Sequence, residues 1–412
     1  MIINLLSVRI LFFCAALFLY GGWSAPTPDH FGPVEIIIAV LLAISLLPSI
    51  PALIKPLVLR KTWEKTALLW ALAGLTLPLI IAASRSNPAN LIVRDMIAFI
   101  LLLLPLLTQP LIEKQPHGRS AAIIATLATG FLLSLRSLAP AFNVPFISAA
   151  LGTTEKLDYL ANMPTVLMSA LFTTLLGLQY LSKNFSARHI VYGAALLTIG
   201  ISILMPIILS QQRASLFAFV ATISIWLLVS LRKKPLKILL LLGLIGLLSF
   251  YNWPLIEQAI KPLIHKNQLV GFNRRGEELG AIWHTIRTNP ITLFFGRGWG
   301  ASFASPAVAD IQVNYTHSLL SSLLLKTGLT GLVLGVFYIA ALLKPLPEIL
   351  RENTIRTKIL VLSILPPLFI DIFLYASYKS LDFALMLVLL ASLHNVDDES
   401  EKALLYSNAS KI

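Results

Sequence analysis

Residues 190–231 read IVYGAALLTIGISILMPIILSQQRASLFAFVATISIWLLVSL. Two apolar runs, 190–209 and 214–231, flank the polar stretch Ser210-Gln211-Gln212-Arg213. A helix crosses the ~30 Å hydrocarbon core of a bilayer with about 20 apolar residues. Each run meets that length, so the stretch reads as two membrane-spanning helices joined by a very short turn. The rest of the chain repeats the pattern. Of 412 residues, 57% are hydrophobic and only 12% charged, and the mean hydropathy is +0.82. A soluble domain carries roughly a quarter charged residues to cover its surface. Most of this surface must therefore face lipid.

Twelve apolar runs have spanning character: 5–22, 34–54, 66–83, 91–112, 120–137, 165–181, 190–209, 214–231, 236–252, 317–343, 357–376 and 380–393. The first, followed by Gly-Trp-Ser-Ala, has some look of a signal peptide. Its first charge comes only at Arg9, and we read it as an uncleaved span. The fold class expected is all-α: a polytopic membrane protein of about twelve helices. Lys55, Arg60, Lys61, Lys114, Arg119, Lys183, Arg188, Arg232, Lys234, Lys344, Arg351 and Arg356 gather in one alternating set of loops. The opposite ends hold few basic residues: Arg85, Arg94, Arg136, Lys156, Arg213 and Lys379. Lysine and arginine accumulate on the cytoplasmic side, so both termini are expected inside. The net charge of +13 lies between apolar runs and faces lipid head groups, not nucleic acid.

The chain divides into nine spans over 1–252, one large outer loop over 253–316, three spans over 317–394 and a cytoplasmic tail over 395–412. Long connections are functional or disordered, and this loop carries helical signals. Leu279, Ile282, Trp283 and Ile286 are spaced as one apolar helical face, Glu277 and Glu278 occupy the first turn, and Pro290 follows the end. An earlier piece, 254–264, is apolar on one side and suits the membrane surface. Gly296-Arg297-Gly298-Trp299-Gly300 reads as a turn.

Several residues are candidates for chemistry. Arg213 is the only charged residue between His189 and Arg232. It either snorkels at a span end or offers its donor fork to phosphate. Arg274, Arg275 and Arg297, with Lys261, Lys266 and Arg287, make the loop basic. That suits anionic head groups or a phosphorylated substrate. His317 stands at the outer mouth of a span, as an interfacial polar group or as the acceptor of a hydroxyl proton. Asp371 lies inside a span, where a carboxylate needs a partner, structural or functional. No Asp-x-Asp pair occurs in the outer loops, no His/Cys cluster suggests zinc, and no glycine-rich loop ends in a phosphate-binding lysine. The single cysteine, Cys14, rules out an internal disulfide. No metal or cofactor is expected, so a substrate must arrive already activated, most simply on a lipid.

Three features resemble the O-antigen ligases, within the superfamily that also holds O-antigen polymerases and protein O-oligosaccharyltransferases. They are Gln212-Arg213-Ala214 opening a span, Arg275 ahead of the helix ending at Asn289-Pro290, and His317 followed by Gly328 and Gly331. Asp371 is similar to a late-span aspartate of the ligases. Ser318 and Lys326 stand where many relatives carry an asparagine and an acidic residue. The resemblance implies inverting, metal-independent glycosyl transfer at the periplasmic face of the bacterial inner membrane. The implied donor is O-antigen on undecaprenyl pyrophosphate, and the acceptor a sugar hydroxyl of lipid A core. Arg213 and Arg275 would hold the pyrophosphate, His317 would activate or position the hydroxyl, and Arg274, Arg297 and Asp371 would help bind substrate. A polymerase or a protein O-oligosaccharyltransferase is the alternative within the superfamily. A twelve-helix carrier fits less well: the link between its two halves would be only 182–189, and the long segment lies outside.

Overall fold

The computed structural model describes residues 5–24, 32–54, 60–115, 117–139, 158–183, 186–251 and 274–394, with isolated positions at 56, 58, 253, 254, 257 and 261. Most of the 254–264 piece, Lys156, Lys266 and the tail over 395–412 lie outside the described residues. Every apolar run is helical. The helices are α1 (Leu5–Trp23), α2 (Pro33–Leu46), α3 (Thr62–Ser84), α4 (Ala89–Leu102), α5 (Leu104–Glu113), α6 (Gly118–Leu138), α7 (Pro164–Lys183) and α8 (Ala187–Leu209). After the Gln211–Gln212 turn come α9 (Arg213–Lys233) and α10 (Pro235–Tyr251). The loop holds α11 (Arg275–Ile286) and α12 (Pro290–Phe295), and the last helices are α13 (Leu319–Leu343), α14 (Leu346–Glu352), α15 (Ile355–Phe373) and α16 (Leu381–Leu393).

Among the described residues, eight helical segments are long and apolar enough to cross a membrane, fewer than the twelve expected. Of the other four, three fall short for visible reasons. α16 has 13 residues, α10 has 17, and α15 carries Arg356, Lys358 and Asp371. α16, apolar except for Asp382 and Ser392, is buried along its whole length, wrapped by α4, α5, α6, α7, α13 and α15. A helix surrounded by protein has no need to match the bilayer. Prolines reshape two expected spans: the second half of 34–54 winds as a 3₁₀ helix through Pro51, and 91–112 is broken at Leu103, just before Pro105.

The bundle has two distinct ends. Lys61, before α3, donates to the carbonyl of His394, whereas Asn87, just after α3, donates to the carbonyls of Arg297 and Trp299. The intervening helix of 23 residues separates these contacts by roughly 35 Å. The loop over 274–318 therefore caps one end, and the lysines that hold Ser182 and Lys183 carbonyls, Lys234 and Lys237, belong to the other.

One expected span, 317–343, is not continuous: Gly328 adopts φ 65°, ψ −163°, and splits α13 into two pieces. The break frees carbonyls, and the glycine turn fills them. The backbone N–H groups of Arg297 and Gly298 donate to Leu325 and Lys326 carbonyls at 2.9 and 3.0 Å. Far from a surface turn, this segment is inserted into the bundle. Pro78 lacks the N–H that would bond Gly74 in α3, and Trp299 Nε1 takes that carbonyl at 2.8 Å. The Gly300 N–H donates to Asp95 at 2.8 Å, and Asp95 also pairs with buried Lys326. Lys326 Nζ additionally donates to the Asn314 carbonyl. Lys326 thus holds the loop to the bundle core.

The loop is not purely helical. Phe303–Ser305 (β1) pairs antiparallel with Ile311–Val313 (β2), the exception to an all-α expectation. The buried face of α11 is narrower than its apolar spacing suggests. Ile282 and Ile286 pack on Phe303, Leu324 and Leu325, while Leu279 and Trp283 are exposed. Packing one helix face against a small hairpin and one kinked helix covers only part of its apolar arc.

Candidate active site

Glu278 sits one turn inside α11 and is only 2% exposed. A buried carboxylate must be satisfied, and the residue just ahead of α13 satisfies it. Glu278 Oε1 accepts the His317 backbone N–H at 2.9 Å, and Oε2 meets His317 Nδ1 at 2.5 Å. With Glu278 ionised and the imidazole neutral, Nδ1 carries the proton and Nε2 keeps its lone pair. His317 itself is outside the helix. Ser318 is the N-cap, accepting from the Ser321 N–H, so this serine has a capping role.

His317 lines a cavity of about 380 Å³ with Arg94, Tyr159, Asn162, Tyr315, Tyr375 and Lys379. Tyr375 follows α15 and connects this wall to the two arginines. The Arg275 guanidinium lies over its ring, 5.5 Å from the centroid. Arg213, at the first position of α9, is near enough to act electrostatically on both Tyr375 and Arg275, and Ser215 hydrogen-bonds Tyr375. Arg213 and Arg275 do not themselves line the cavity; Tyr375 stands at the junction. Burial pushes the Arg275 guanidinium down from its usual value, Tyr375 and Glu278 oppose that, and Arg213 adds to it. Two neighbouring cations at this wall suit a bound anion.

The adjacent arginines 274 and 275 have different settings. Arg274, in the left-handed region at φ 51°, is exposed and faces Glu277 at 3.9 Å. Arg275 turns inward, one turn before Glu278 on the same helix. Arg297 is set apart from both: its electrostatic neighbour is Arg85, and its main chain is used in the glycine turn. Asp371 is buried in α15, its Oδ2 without a hydrogen-bond partner among the described residues. It is close enough to Tyr375 to influence it, but it does not line the cavity. No group of three metal-ligating side chains occurs among the described residues.

Residues 197–336 match the family model described as O-antigen ligase. That segment is similar to the O-antigen ligase superfamily. With eight candidate membrane-crossing segments among the described residues, the match is consistent with a multi-pass membrane protein. No curated protein matches the chain. The O-antigen ligase match spans Arg213, Arg275, Glu278 and His317, and it ends before Asp371 and Lys379. Glu278 went unassigned in the sequence because two adjacent glutamates at a helix start read as dipole partners. Its one signal is the spacing of three from Arg275, which puts both side chains on one helix face. Arg94 and Lys379 carried no motif; their chain distance from His317 hides them.

Proposed function

We propose that this protein transfers an O-antigen glycan from undecaprenyl pyrophosphate to a sugar hydroxyl of lipid A core, at the periplasmic face of the bacterial inner membrane. The observation that carries the reading is the Glu278–His317 pair at a cavity that Tyr375 links to Arg275 and Arg213. In the reaction the acceptor hydroxyl oxygen attacks the anomeric carbon, and its proton passes to His317 Nε2. The bond from that carbon to the pyrophosphate oxygen breaks, and undecaprenyl pyrophosphate leaves with the electron pair. A single displacement of this kind inverts the anomeric configuration. Arg213 and Arg275 offset the charge that grows on the leaving diphosphate. Glu278 fixes the imidazole tautomer and stabilises the imidazolium that forms, the role an acid plays behind a catalytic histidine. Asp371 acts indirectly, through Tyr375.

The test uses the purified protein with lipid-linked glycan and either lipid A core or a second lipid-linked glycan. Glycosylated lipid A core is the expected product. A lengthened lipid-linked glycan instead would make the enzyme a polymerase. Arg213→Ala and His317→Ala should insert normally and lose transfer; full transfer by either would remove that residue from the mechanism.

A further inference from the structure

Lys379 ends the 3₁₀ turn Ala376–Lys379 between α15 and α16. Its ammonium group is buried with no hydrogen-bond partner among the described residues, and the Tyr378 ring centroid lies 5.8 Å from Nζ. Removing a charged amine from water is costly unless an anion meets it. The acid that acts on it offers little, because Asp95 is already held by Lys326 and the Gly300 N–H. Yet Lys379 lines the same cavity as His317, and Arg94 of α4 lines it too. Tyr159, Asn162 and Ser380 add hydrogen-bonding groups to that wall. Ser380 also caps α16, so the positive end of a 13-residue helix begins there.

We propose that Lys379 and Arg94 form a second anion subsite, one that takes a phosphate group of a ligand reaching His317. The site lies apart from the pair formed by Arg213 and Arg275, neither of which lines this cavity. Assigning the phosphate to a glycan substrate rests on the transfer reading above; the anion site itself does not. Two phosphate-bearing substrates, or one carrying phosphates at two points, would use both clusters.

Charge around Lys379 supports this. Burial pushes its ammonium down to about 7, Lys326 and Arg94 act in the same direction, and Asp95 opposes them. Tyr378 is its neighbour on the same turn, while His317, Tyr315, Tyr159 and Tyr375 stand around the cavity. An arriving anion favours the protonated amine. Its affinity should therefore be full below pH 7 and fall above it, by about tenfold per pH unit.

Sulfate is a suitable probe, because its charge does not change between about pH 6 and 9. Its binding to the purified full-length protein would be measured by thermal shift at several pH values. Wild type should show the fall above pH 7. Lys379→Met should bind sulfate about tenfold more weakly at pH 6.5, a loss of roughly 1.4 kcal/mol, and show no such fall. Lys379→Arg should bind well with a flat profile, since arginine stays charged. Unchanged binding by Lys379→Met, or a fall retained in Lys379→Arg, would overturn the proposal; the arginine arm decides alone where the methionine variant does not fold. In the transfer assay, Lys379→Met should raise KM for donor or for acceptor, whichever places its phosphate here. Unchanged KM for both would refute a substrate phosphate at this site. A wild-type protein that binds sulfate in this way but transfers no glycan would undo the transfer reading alone.

Discussion

Glu278→Gln removes one charge and changes almost no volume at the centre of the site. The carboxylate accepts two hydrogen bonds from His317, 2.9 Å from the backbone N–H and 2.5 Å from Nδ1. A carboxamide has one acceptor oxygen and one NH₂ group. If the oxygen takes the backbone N–H, the NH₂ faces Nδ1 and drives the imidazole proton to Nε2, where a lone pair is required. If the oxygen keeps Nδ1–H, the NH₂ opposes the backbone N–H. The first outcome removes base catalysis, worth about 10²–10⁴ in rate. The second loses a charged hydrogen bond, worth about 1.5–3 kcal/mol, or roughly 10–150-fold. The expected result is a kcat at least about tenfold lower and up to about 10⁴-fold lower, with little change in donor KM. The assay is transfer by purified protein with saturating lipid-linked glycan, alongside its melting temperature. A folded Glu278→Gln variant with kcat within about threefold of wild type would refute the orienting role of this carboxylate.

Arg275→Ala should lower transfer by about 10²–10³-fold, whereas Arg274→Ala, at an exposed pair, should stay within about threefold; kinetics on both variants check this. Lys326→Met leaves Asp95 buried without its cation, and should destabilise the fold by about 3–5 kcal/mol, read as an earlier thermal transition in detergent. Adding Asp95→Asn to that variant should recover part of the loss. Gly298 has φ +83°, and a Cβ there would lie 2.5 Å from the Ala82 nitrogen. Gly298→Ala should therefore cost at least about 1–3 kcal/mol and loosen the loop, seen as faster proteolysis between α12 and α13.

Helix content and membrane character were legible in the sequence because they follow from composition and period. Apolar runs of bilayer length admit little except helices in lipid. The start of a helix at Arg213 after a two-residue glutamine turn followed from the same pattern, as did a loop helix ending before Pro290. The number of crossings did not follow, since hydropathy cannot distinguish a span bathed in lipid from one sheathed in protein. α16 is the instance: thirteen residues, apolar except for Asp382 and Ser392, and buried throughout.

Distance along the chain sets the other boundary. The sequence by itself determined that Arg213, Arg275 and His317 stand at helix starts or loop ends, because those positions are written in local pattern. Only the tertiary structure decided that Glu278 grips His317 across 39 residues, and that Arg94, His317 and Lys379 share one cavity. It also turned an unremarkable glycine turn into the wedge that joins α3, α4 and the broken α13. The cause is the same each time: a buried charge or freed carbonyl must find a partner, and folding, not neighbouring sequence, supplies it.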